Sequence, residues 1–126
     1  MIIARNKHGE MVVINVMGTI TLGESSKKFS DYLEKILQER PKGVIINMDK
    51  IDYVDSTGIG ELVGYLSRYR DEKIPLALVN PRERILKLLT ITGLEKVFPI
   101  FEEMKDALKW CERGDSNPHS LSATRS

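Results

Sequence analysis

The chain has 126 residues and a net charge of +1, from 19 Lys plus Arg against 18 Asp plus Glu. That is the length of one domain with a core large enough to need no disulfide or metal. The balanced charge, with no Lys/Arg-rich run, argues against a nucleic-acid partner. The single cysteine, Cys111, excludes a disulfide-built scaffold, and His8 and His119 belong to no cluster with metal-ligand spacing. The opening MIIARNKHGEMVVINV has no basic start followed by a long apolar run, and no stretch is apolar enough to cross a bilayer. No membrane is therefore expected, and the expected location is the cytoplasm.

In chain order, IIAR and MVVINVMG are β-branched runs separated by NKHGE, a pattern for an opening hairpin. In TITLGESSKKFSDYLEKILQERPKG, Ser25 or Ser26 can cap a helix whose Phe29, Tyr32, Leu33, Ile36 and Leu37 share one face. Pro41 and Gly43 stop it. VIINM, Val44–Met48, reads as a strand buried on both faces. A second helical stripe follows at Ile59, Leu62, Val63, Leu66 and Tyr69 and runs out in RYRDEK. PLALV, Pro75–Val79, is another buried strand. Asn80-Pro81 predicts a cap and first helical residue for PRERILKLLTITG, which Gly93 ends. EKVFPIF predicts a short strand. EEMKDALKWC predicts a last helix, with Met104, Ala107, Leu108 and Cys111 on one side and Trp110 with Cys111 at the edge of the core.

The order β-β-α-β-α-β-α-β-α predicts an α/β fold, a mixed sheet of four to five strands covered by about four helices. The domain is expected to span residues 1–112. Residues 113–126, polar, serine-rich and aperiodic, read as a disordered tail or a remnant of cloning.

YVDSTGIGELVGYL, Tyr53–Leu66, sets an acid, two hydroxyls and three glycines before a helix. A hydrolase elbow requires Gly-x-Ser-x-Gly, and Val54 stands two before Ser56. A dinucleotide cradle requires its third glycine one residue earlier than Gly64 and a strand running straight into the turn, whereas Asp49–Asp55 intervenes. Packing is the plainer account of Gly60 and Gly64, one helical turn apart. Ser56 or Asp55 can cap the helix, with Glu61 supporting its positive end. A modified serine is the fourth reading. A phosphate on Ser56 would meet free N–H groups at a helix start, so the fold would accept it while a partner surface would feel the charge.

NMDKIDYVDSTGIGELV, Asn47–Val63, resembles the signature of the anti-sigma factor antagonists, single-domain members of the STAS group. The similarity runs in element order over about residues 1–112, through MGTITL and LALVNPRERILKLLTITGLEKVFPIF. It implies that Ser56 is phosphorylated by an anti-sigma factor with serine-kinase activity. The ATP is the kinase's, so no cofactor is expected on this chain. A protein phosphatase would reverse the step, and the unmodified form would bind the kinase and free a sigma factor. Asp55, Thr57, Gly58 and Gly60 match motif positions, with Glu61 following. Where many relatives carry Gly-Glu-Leu-Asp, this chain has Gly18-Thr19-Ile20-Thr21, which replaces an acid near the phosphosite by the Thr21 hydroxyl. Arg82 and Arg84 open a helix where its dipole disfavours cations, so they are either a solvated face or a partner contact. Two other functions fit the same residues: a STAS module of a stress-signalling scaffold or transport complex, and a nucleotide-binding or hydrolytic enzyme using Asp55, Ser56 and the glycines.

Overall fold

The structure, a computed structural model, describes residues 1–113. It is a five-stranded mixed sheet in the order β1-β2-β3-β4-β5. The strands are β1 Ile2–His8, β2 Met11–Ile20, β3 Gly43–Val54, β4 Leu76–Val79 and β5 Ile100–Phe101. The helices are α1 Glu24–Glu39, α2 Ser56–Asp71, α3 Glu83–Ile91 and α4 Met104–Glu112. β1 and β2 form the expected antiparallel hairpin, with Gly9 at positive φ in its two-residue turn, and every later pairing is parallel.

Topology decides how the two sheet faces are covered. From β2 onward each strand is added on the same side of the last. Right-handed crossovers then put α1, α2 and α3 on one face. There Val12, Ile14, Val44, Ile46 and Leu78 pack against Phe29, Leu33, Leu62, Leu66, Ile85 and Leu89. Among the described residues the opposite face has only α4, which packs over β3, β4 and β5. Trp110 and Cys111 are therefore fully buried against Met11, Ile45, Ala77 and Phe101, and do not lie at a core edge. Burial pushes the Cys111 thiol up to about 12, so it is inert as a nucleophile. Beyond the reach of α4 no described residue covers the same face, and Ile2 is 59% and Met17 38% exposed.

Four boundaries differ from the sequence reading. Serine does not cap α1: Gly23, at φ 111, occupies the cap position, Ser25 Oγ accepts from Thr21 N, and Ser26 Oγ donates to Gly23 O. The third helix starts at Glu83 with Arg82 as its cap, because Asn80 N still donates to Phe101 O and Asn80 adopts φ 54. Strand ladder and left-handed turn hold Asn80 and Pro81 outside the helix. Of EKVFPIF only Ile100 and Phe101 pair, and Leu94–Lys96 is a 3₁₀ turn. β3 continues through the acidic segment to Val54, because the long β2 pairs with it up to Ile20↔Val54 across two register shifts. Within the tail assigned to 113–126, only Arg113 falls among the described residues.

Candidate functional site

The motif lies at the carboxyl end of β3, beside the loop leaving β2. Open parallel sheets place their sites at such an end. Because β3 runs to Val54, a strand does lead straight into the Asp55 turn, contrary to the sequence reading. The glycine spacing still departs from a dinucleotide fingerprint.

Asp55 is the cap of α2, in extended conformation, and its Oδ1 accepts from Gly58 N at 2.9 Å. Its Oδ2 accepts from Leu22 N at 2.8 Å, and its own N–H donates to Ile20 O at 3.1 Å. The N–H groups of Gly58 and then Leu22 hold this carboxyl below its ordinary range, so Asp55 is charged. Ser56 is the first helical residue and is exposed; Thr57, next to it, is half-buried. In such a first turn the N–H groups of Ser56 and Thr57 have no partner within the helix.

The motif glycines divide sharply. A Cβ on Gly58 would lie 2.6 Å from Val54 Cγ1 and 2.8 Å from Ile20 O, so only glycine lets α2 start this close to β2 and β3. Gly60 and Gly64 have nothing within 4 Å of such a Cβ. The expectation that they serve helix packing is therefore wrong, since both lie on the solvent side. Val63, expected in the inward stripe, is 38% exposed on the same side. Glu61 is half-buried on α2.

The loop residues are placed less uniformly. Thr21 N donates to Ser25 Oγ at 2.8 Å, and the Thr21 hydroxyl lies 3.5 Å from that oxygen. Thr19 pairs with Tyr53 on β3, while Gly18, at φ 105, pairs with Ile51 and faces Met1. Gly18 thus shapes the strand and makes no contact with Asp55. Arg82 binds elsewhere on β3: Nε donates to Asp49 O at 2.9 Å and Nη1 meets Asp52 Oδ1 at 2.7 Å. Its guanidinium ties the start of α3 to the sheet and does not reach Asp55. The residue missed by sequence reasoning is Leu22, a leucine 77% exposed whose amide is bound by Asp55. Its signal was an apolar residue just before Gly23 that belongs to neither neighbouring pattern.

Among the described residues no group of His, Cys, Asp and Glu could hold a metal, and no helix is long and apolar enough to cross a membrane. What the arrangement offers is an exposed hydroxyl at a capped helix start, beside a loop fastened to the same acid.

Known proteins share this architecture. An anti-sigma-B factor antagonist of Staphylococcus epidermidis is 28% identical over 95 residues, 75% of this chain and 87% of that one. An anti-sigma-factor antagonist (STAS) domain protein of Planctomyces limnophilus superposes with a TM-score of 0.74 at 16% identity, covering 87% of this chain and 97% of the other. The Bacillus cell fate determinant SpoIIAA in its phosphorylated form gives 0.67 at 19% identity, over 86% and 97%. At such identities the structures show a common fold. The STAS domain family profile matches residues 3–107, which takes in the sheet from β1 to β5 and the Asp55–Gly60 turn, and the chain belongs to the STAS domain family.

Proposed function

We propose that this STAS domain is an anti-sigma factor antagonist, acting in the cytoplasm and switched at Ser56. The unmodified protein binds an anti-sigma factor with serine-kinase activity and so frees a sigma factor. The kinase transfers the γ-phosphoryl group of its ATP to Ser56 Oγ, the hydroxyl proton leaves, and ADP is released. A protein phosphatase restores the hydroxyl by hydrolysis.

The observation that carries this reading is an exposed Ser56 at the first position of a helix already capped by its neighbour. Because Asp55 supplies the cap, the serine hydroxyl is free of a structural duty and can be modified without loss of the helix start. The added phosphate, carrying about −1.5 to −2 charges, would sit near N–H groups that favour an anion. It would also sit beside the charged Asp55, so the face presented to a partner becomes strongly acidic. Thr21 is uncharged where many relatives carry an acid, and if its loop faces Ser56 it would repel that phosphate less. The open side of α2, at Gly60 and Gly64, adds no side chain that would hold a partner away from Ser56. The curated antagonist relative supports the assignment.

Incubation of the full chain with ATP and each candidate anti-sigma kinase of its host tests the proposal by mass spectrometry. The expected result is one phosphate on Ser56 and none on the Ser56→Ala chain. Modification confined to another residue, or none with any kinase, would overturn it.

A further inference from the structure

The carboxylate of Asp55 does two jobs with two oxygens. Oδ1 completes the first turn of α2 through Gly58 N, a local contact within four residues. Oδ2 reaches 33 residues back in sequence to Leu22 N, in the loop between β2 and α1. The other contacts of that loop run toward α1: Thr21 N and Thr21 O both bond Ser25 Oγ, and Ser26 N donates to Thr21 O. Among the described residues, the hydrogen bonds that tie the loop to the helix bearing Ser56 are those of Asp55, through Leu22 N and through its own N–H on Ile20 O. The Leu22 amide is exposed, so water could satisfy it; the bond to Asp55 is not demanded by burial. What the bond fixes is position. It holds a leucine, 77% exposed, on a backbone fastened to the residue that precedes Ser56. A partner that covers this leucine need not first order its backbone, which lowers the entropy cost of binding.

We propose that Asp55 is a positioning residue that locks Leu22 in fixed relation to Ser56, making loop and helix start one recognition unit. The partner arm of this inference rests on the antagonist reading; the loop arm does not.

Two substitutions separate the jobs of the carboxylate. Serine is as good a helix cap as aspartate, but it has one oxygen on a shorter side chain, so Asp55→Ser keeps the Gly58 bond and releases Leu22. Asp55→Asn has one acceptor oxygen, so it keeps one of the two bonds and never both. In amide hydrogen exchange on the full chain, Asp55→Ser is expected to lower Leu22 protection at least about tenfold while Gly58 stays protected. Unchanged Leu22 protection, or joint loss at both amides, overturns the inference. Affinity for the phosphorylating kinase supplies the second readout, measured for Asp55→Ser, Leu22→Ala and the double variant. If Asp55 acts by placing Leu22, each single change weakens binding and the double is no weaker than the worse single. Fully additive losses, or no loss with Leu22→Ala, contradict it. A kinase that fails to bind the unsubstituted chain would refute the antagonist reading and leave the exchange result standing.

Discussion

Gly58 and Gly60 stand two residues apart in one motif and have opposite reasons to be glycine. Under α2, Gly58 fills the gap between Val54 and the Ile20 carbonyl, and nothing larger fits. On the outer side, Gly60 faces open space and weakens its own helix for no internal gain. The underside is built by the fold, whereas the outer side bears a cost that folding does not explain. Under the proposed function, the outer side, with Ser56, is the surface kept for a partner.

The comparison can be broken by substitution. Gly58→Ala forces a methyl into Val54 and a carbonyl oxygen, and about 2–3 kcal/mol of stability should be lost in urea denaturation, the upper range for overpacking. Gly60→Ala should do the reverse and stabilise by about 0.5–1 kcal/mol. It should also weaken kinase binding if the open face is the contact. Destabilisation by Gly60→Ala would erase the distinction between the two sides.

A smaller effect comes from the clasp between α1 and α2, remote from the motif. Glu34 accepts from Arg68, Gln38 and Tyr65, and its carboxyl is drawn down to about 2 from an ordinary 4.5, chiefly by Arg68. A carboxyl lowered on folding stabilises above its unfolded value and loses that contribution as pH falls toward its folded value. The contribution should therefore fade between about 4.5 and 2. Melting temperature against pH should fall less steeply there for Glu34→Gln, and parallel curves would refute the clasp. The pair is exposed, so the difference should be modest.

Least is expected of Arg82→Ala. Its ion pair with Asp52 is exposed and should contribute under about 1 kcal/mol. Because its contacts are on β3, kinase affinity should change little; a large loss would place Arg82 in the interface.

Element order, the mixed sheet and, Val63 excepted, the inward faces of the helices were legible in the sequence, because each rests on periodicity and turn chemistry that neighbours reinforce. The start of α3 was not: Asn80-Pro81 has the local signature of a helix start, but the β5 ladder holds Asn80 in a left-handed turn. The length of β3 was hidden for a related reason, since its acidic half is a strand only because β2 extends beside it. Within the site, the Asp55 cap could be read locally. Its bond to Leu22 joins positions 33 residues apart and exists only once β2 and β3 pair. Gly58 and Gly60 look alike in sequence, and only the packing of Ile20 and Val54 tells them apart.

The most direct test compares kinase affinity for the unmodified chain and for the chain phosphorylated at Ser56, with thermal unfolding of both forms measured alongside. The account predicts at least about a tenfold loss of affinity on phosphorylation, roughly 1.4 kcal/mol, with the unfolding transition unchanged. Equal affinity of the two forms, or loss of binding only because the phosphorylated domain unfolds, would contradict it.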